Sequence, residues 1–255
     1  MKIFIINLPA QRQRRENITK TLNLLGLKFE LINAICGKDL SCEEKQNALD
    51  SSRADEFKRA LSDGEIGCFL SHRLALEKFL QSECEDCVIL EDDAVIDERL
   101  LEFLSLIPRL PKACELVLLG HYRQVYLDDG FRIESPFSLR FDYELNEIYH
   151  LKRLVGGGLG SHGYFITRAG AGRLLAATER FFKPFDHYTS DESVVNIFAL
   201  YPVAVEFELN SHSSVQENRK IKRRSKIAKY FKRFRKWLMF LPKSLKKPRE
   251  YEVRK

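Results

Sequence analysis

Three adjacent carboxylates, Glu91-Asp92-Asp93, follow the apolar run Cys87-Val88-Ile89-Leu90. Like charges held side by side repel unless a cation neutralises them. A hard divalent ion such as Mg2+ or Mn2+ takes one or two protein carboxylates and completes its octahedron with water and phosphate oxygens, so the triplet suits a metal and diphosphate site. The competing reading is a solvated acidic turn, and the position at a strand end weighs against it. Asp186 in Phe185-Asp186-His187 and Asp191 in Ser190-Asp191-Glu192 are further carboxylates able to act as a general base. Asp191 also fits a helix N-terminal cap. His72, one helical turn beyond Gly67-Cys68, could bind a donor, orient the acidic loop or simply pack.

Other signatures are missing. No G-x-G-x-x-G follows the first strand and no G-x-x-x-x-G-K-[ST] occurs, which excludes a dinucleotide fingerprint and a Walker loop. The run Gly156-Gly157-Gly158-Leu159-Gly160 has no lysine and reads as a place of close backbone approach, with Gly157 and Gly158 facing either substrate or a neighbouring strand. Cys84 and Cys87 form a C-x-x-C, but no second pair or nearby histidine completes a zinc set. The six cysteines lack the spacing of a disulfide scaffold, and free thiols in a reducing cytoplasm are expected.

The elements that must position these residues alternate. Lys2–Leu8 reads as a buried strand and Arg12–Leu25 as a helix with Ile18, Leu22 and Leu25 on one face. A strand over 29–35, a polar helical region over 42–60 and a helix over 66–80, capped by Asp63-Gly64-Glu65, follow. Then come the strand before the triplet, a helix over 98–106 and a strand over 115–120. Residues 121–153 are polar, aromatic and poorly periodic, as in a long loop or hairpin insert. A strand over 164–167, a helix over 169–178, a helix ending at Leu200 and a strand around 203–209 complete the pattern. The expected class is α/β, a mostly parallel central sheet with helices on both faces. Ligands of such sheets bind at the carboxyl ends of the strands, which puts Asn7, the triplet and Gly120-His121 on one rim.

With 255 residues and 44% hydrophobic content the chain can build a sizeable core. The net charge of +6 hides an asymmetry. Residues 219–255 hold 17 basic and 2 acidic residues, a net +15, against 25 basic and 34 acidic elsewhere, a net −9. Two units are expected, a catalytic domain over 1–215 and a basic tail over 216–255. Within the tail Ile227, Phe231, Phe234 and Leu238 recur at helical spacing among Lys and Arg, the pattern of a helix lying on an anionic membrane surface. Nucleic-acid binding and a merely solvated tail are the rival readings, the first weakened because no nucleic-acid module accompanies it. The apolar run at the start precedes its basic cluster, the reverse of a secretory signal, and no stretch approaches the roughly 18 apolar residues of a membrane span, so a cytoplasmic protein is expected.

Several of these motifs recur together, in order, in one known family. Ile5-Ile6-Asn7-Leu8 with Arg12 and Arg14-Arg15, Gly64-Glu65-Ile66-Gly67-Cys68 with Ser71-His72, Ile89-Leu90-Glu91-Asp92-Asp93, Gly163-Tyr164-Phe165-Ile166 with Ala171 and Leu174-Leu175, and Asp186 resemble glycosyltransferase family 25, the family of bacterial lipooligosaccharide galactosyltransferases. The resemblance implies a GT-A-like fold, a UDP-sugar donor, usually UDP-galactose, a divalent metal (Mn2+ or Mg2+), and inverting transfer, most readily β-1,4, to a lipooligosaccharide core acceptor at the inner face of the inner membrane. It implies that Asp93 binds the metal and that Asp92 or Glu91 supports it or the donor ribose. Asn7 and Arg12 would contact the nucleotide, with Arg14 and Arg15 solvated or phosphate-facing. Inversion needs a base opposite the leaving group, for which Asp186 and Asp191 both stand. His212 lies where GT-A enzymes supply a late metal ligand. UDP-glucose or UDP-N-acetylhexosamine as donor, and a non-catalytic protein binding sugar-nucleotide or nucleic acid, are the alternatives.

Overall fold

The computed structural model describes residues 1–57, 59–121, 125–126, 131–132, 137–154 and 160–207. Strand β1 (Lys2–Asn7) leads into helix α1 (Arg12–Leu24) and strand β2 (Glu30–Asn33). The helix stops in a Schellman turn: Leu27 N donates to Leu22 O and Gly26 N to Asn23 O, both at 3.0 Å, and Gly26 takes the positive φ of +69° that this turn requires. Helices α2 (Cys42–Ala48) and α3 (Ala54–Phe57) are short, and α4 (Asp63–Gln81) is the longest. Strands β3 (Asp86–Glu91) and β4 (Ala94–Ile96) flank the acidic triplet, followed by α5 (Glu98–Leu106) and β5 (Leu116–Leu118). Beyond these lie β6 (Val125–Tyr126), β7 (Phe131–Arg132), β8 (Phe137–Glu144), β9 (His150–Leu154) and β10 (Gly163–Thr167). Helices α6 (Arg168–Ala177) and α7 (Phe185–Tyr188) and strands β11 (Ile197–Tyr201) and β12 (Val205–Phe207) complete the described fold.

Eight strands form one sheet in the order β2-β1-β3-β10-β5-β11-β9-β8. Six of them run one way, and β10 and β9 run against them. Helices cover both faces, because alternate residues of each strand point to opposite sides. Ile3, Ile5, Val88 and Leu90 pack with Ile18 and Leu22 of α1 and Leu100 and Phe103 of α5. On the other face Phe4, Ile6 and Ile89 pack with Phe69, Leu76 and Phe79 of α4 and Leu174 of α6. The α/β class with a mostly parallel sheet is therefore the observed one.

Three segments depart from their predicted form. The polar helical region over 42–60 breaks after Ala48, where Leu49 becomes extended and bridges Phe181, and a 3-10 turn over Ser51–Arg53 precedes α3. The helix expected to end at Leu200 is strand β11, because Ile-Phe-Ala-Leu is buried on both faces between β5 and β9. The insert over 121–153 contains the β8–β9 hairpin, which extends the sheet edge. The boundary at 215 and the whole tail lie outside the described residues.

Candidate active site

The motif Gly64-Glu65-Ile66-Gly67-Cys68 with Ser71-His72 is the first half of α4, and each residue has a packing reason. Ser62 and Glu65 form a capping box: Ser62 N donates to Glu65 Oε2 at 2.9 Å and Glu65 N to Ser62 Oγ at 3.3 Å. Arg59 grips the same carboxylate through two bonds of 2.7 and 2.6 Å. Burial works to raise the Glu65 carboxyl, but Arg59 and Ser62 outweigh it and hold it at about 2. Gly67 lets the helix touch the loop after β2, since a Cβ there would lie 2.5 Å from Ile35 O and 2.6 Å from Gly37 N. Ser71 Oγ accepts from Ile35 N at 2.8 Å and seals that contact. The result presents His72, fully buried, toward the end of β3.

His72 Nε2 lies 3.3 Å from Glu91 Oε1 and its Nδ1 3.1 Å from the Tyr164 hydroxyl. Ser161 Oγ donates to the same Glu91 oxygen at 2.6 Å. Burial would raise the Glu91 carboxyl, yet the bonds from His72 and Ser161 outweigh it and keep it at about 2. Asp92 is held by Asn7, whose Nδ2 donates at 2.7 Å, and by Arg14 at 3.4 Å. Asp92 is nevertheless pushed up by burial, with Glu91 adding to the shift. Asp93 has a distant ion pair with Arg14, 3.9 Å away, and its Oδ1 is buried with no hydrogen-bond partner among the described residues. Burial, then Glu91 and Asp92, push its carboxyl up to about 7.

The three neighbours thus differ in kind. Glu91 is ionised and spends an oxygen on the protein, whereas Asp93 keeps a buried oxygen that nothing in the described chain satisfies. An orphaned carboxylate oxygen beside a second negative charge fits a divalent cation with oxygen ligands, Mn2+ or Mg2+.

Of the residues singled out in the sequence, Asn7, His72, Glu91, Asp92 and Asp93 converge at one rim of the sheet. Arg14 reaches the triplet, while Arg12 is exposed at the start of α1. Asp186 lies close enough to act on the charges of Cys68 and Arg59, and Cys68 also feels Glu91 and Asp93. Asp191 faces another way: it accepts from Lys183 Nζ at 2.9 Å and from Ser193 N and Oγ at 3.1 and 2.6 Å, so it closes a turn instead of capping a helix. His121 of the expected rim contacts the Leu200 carbonyl at 3.2 Å. Gly120 gives room to the His162 ring, since a Cβ would lie 2.0 Å from its Nε2. Gly157, Gly158 and His212 lie outside the described residues.

Ser161 and Tyr164 were not singled out as site residues. They reach the rim because β10 runs antiparallel between β3 and β5, which brings its amino end to the carboxyl ends of its neighbours. A polar pair between a glycine and an apolar strand, Ser161-His162, is the only trace of this in the sequence.

The sequence model of glycosyltransferase family 25, described as an LPS biosynthesis protein family, matches residues 1–189. The chain belongs to glycosyltransferase family 25. It is similar to human procollagen galactosyltransferase 2, at 28% identity over 213 residues covering 80% of this chain and 31% of that protein. It is similar to a glycosyltransferase 25 family member of Anopheles gambiae, at 38% identity over 95 residues, 36% of this chain and 16% of that one. It also resembles the Haemophilus influenzae lipooligosaccharide biosynthesis protein lic2B, at 24% identity over 185 residues, 68% of this chain and 62% of lic2B. The chain spans about a third of the length of the human relative. The family match covers the framework from β1 through α7, the triplet and Asp186 alike.

Proposed function

We propose that this glycosyltransferase moves galactose from UDP-galactose to a lipooligosaccharide core acceptor, with inversion and a β-1,4 linkage, using Mn2+ or Mg2+. The observation that carries the reading is the pairing of an ionised Glu91 with Asp93, whose Oδ1 is buried without a partner among the described residues, at the strand rim where α/β sheets bind ligands. Galactose is favoured as donor sugar because human procollagen galactosyltransferase 2 carries that activity in its name, and the acceptor because lic2B is named for lipooligosaccharide biosynthesis.

Asp93 would hold the cation, with Asp92 and Glu91 in support, and the ion when bound would stabilise charge on the departing diphosphate. Asn7 fixes Asp92 and so the shape of the loop, and Arg14 offers a positive charge beside the phosphates. Asp186 is the favoured base that takes the acceptor hydroxyl proton. Asp186 follows Phe185, whose ring stacks on the His72 imidazole that reaches Glu91, whereas Asp191 is committed to Lys183 and Ser193. The basic tail over 216–255 would hold the enzyme against the anionic inner leaflet, on the cytoplasmic side, near a lipid-linked acceptor.

The deciding experiment is a panel of UDP-sugars scored by UDP release, with and without Mn2+. UDP-galactose is expected to turn over fastest and only with metal. Preference for UDP-glucose or a UDP-N-acetylhexosamine, or full activity in excess chelator, would reject the corresponding part of the proposal.

A further inference from the structure

Beside Glu91 the rim carries two further donors, Cys68 and His72, that sugar transfer leaves unexplained. Cys68 and His72 stand four residues apart on α4, hence on one face, and Glu91 ends β3 beside them. One ligand atom from each of the three lies within 4.8 Å of the others. We propose that Cys68, His72 and Glu91 form a second cation site, selective for thiophilic divalent ions such as Zn2+ over Mg2+ and Mn2+.

Thiolate, imidazole and carboxylate together are the ligands of a borderline-soft ion, and three of them leave a fourth position for water. His72 is fully buried, but Cys68 and Glu91 are only half-buried, so the ligand set is open to solvent on their side. The outer shell is already built. The Tyr164 hydroxyl meets the second ring nitrogen of His72 at 3.1 Å, and the Phe185 ring stacks on the imidazole.

The protons balance. The Glu91 carboxylate only accepts, so in the neutral tautomer that fits both contacts the His72 ring proton sits on Nε2 and Nδ1 accepts from the Tyr164 hydroxyl. When an ion takes Nε2, the ring proton sits on Nδ1 and is donated to the Tyr164 oxygen. The thiol proton of Cys68 leaves to solvent, one per ion bound. Thiolate sulfur binds borderline-soft ions well and hard ions poorly, which is the source of the selectivity.

Co2+ tests the site, since a thiolate–cobalt bond gives a near-ultraviolet charge-transfer band. One equivalent of Co2+ added to the full chain is expected to give that band, with Zn2+ but not Mg2+ abolishing it. Cys68→Ser should remove the band and Asp93→Asn should keep it. In the unmodified protein, Zn2+ should protect Cys68 from iodoacetamide while the exposed Cys42 still reacts, as mapped by mass spectrometry. Absence of the band, its survival in Cys68→Ser, or equal alkylation of Cys68 with and without Zn2+ would overturn the proposal. None of these readouts uses a sugar donor, so they stand or fall apart from the transfer reaction.

Discussion

The imidazole of His72 lies parallel to the ring of Phe185, with centroids 4.3 Å apart and 6° between the planes. The same imidazole faces Glu91 through Nε2, and Phe185 is followed by Asp186. One ring therefore links the helix that bears the proposed base to the strand that bears the acidic triplet. Truncation of Phe185 to alanine opens a cavity under His72 in a fully buried position and should cost about 3–5 kcal/mol. Chemical denaturation checks this, and a loss below 1 kcal/mol would show that the stack does not hold the two elements together.

Asp186→Asn should lower kcat by about 100- to 10,000-fold, the ordinary contribution of a general base, with UDP binding retained. Asp191→Asn should instead cost about 1 kcal/mol of stability through its partly exposed pair with Lys183, with kcat intact. Steady-state kinetics and calorimetric UDP titration on both variants separate the roles; the reverse pattern would move the base to Asp191.

Asp93→Asn should abolish metal-dependent turnover and leave the fold in place. In chelator it should also be more stable than the parent, with a definite pH dependence. The folded Asp93 carboxyl sits at about 7, above its ordinary value of 3.8, so its contribution is favourable below about 4 and is lost as pH rises through 7. The advantage of the variant should accordingly grow between pH 4 and 7 and then level off, as read by thermal melts across that range.

Glu65→Gln keeps a residue able to complete the capping box but loses the charge that Arg59 grips, at a cost of about 1–3 kcal/mol. The sign is opposite to that of Asp93. The folded Glu65 carboxyl is depressed from 4.5 to about 2, so its stabilisation is present above 4.5 and disappears as pH falls toward 2. Denaturation of parent and variant at pH 7 and pH 3 should show the gap narrowing at the lower pH.

Gly67→Ala pushes a methyl group to within 2.5 Å of Ile35 O, where backbone must move, and should destabilise by about 1–3 kcal/mol. Gly172→Ala, within α6 and with nothing within 4 Å, should stabilise by about 0.5–1 kcal/mol. Melting temperatures moving in opposite directions would confirm that the glycine of the α4 motif is kept for contact.

What the residues determine alone is local. The unbroken apolar runs of β1 and β3, the helical spacing of Ile18 and Leu22, and the carboxylates at the end of β3 are legible because periodicity and side-chain polarity depend on neighbours in the chain. From them follow the α/β class and the rim that holds Asn7 and the triplet. What only the tertiary structure decides is pairing over long distances. Residues 197–201 become a strand because β5 and β9 bury both of its faces, and β10 enters the sheet antiparallel, delivering Ser161 and Tyr164 to the site. Arg14 meets Asp92 across 78 residues, and Glu91 is held low by His72 and Ser161 from far along the chain while burial and its adjacent acids push Asp93 the other way. Charge state depends on burial and on which groups arrive from elsewhere, and neither is written in the order of three adjacent acids.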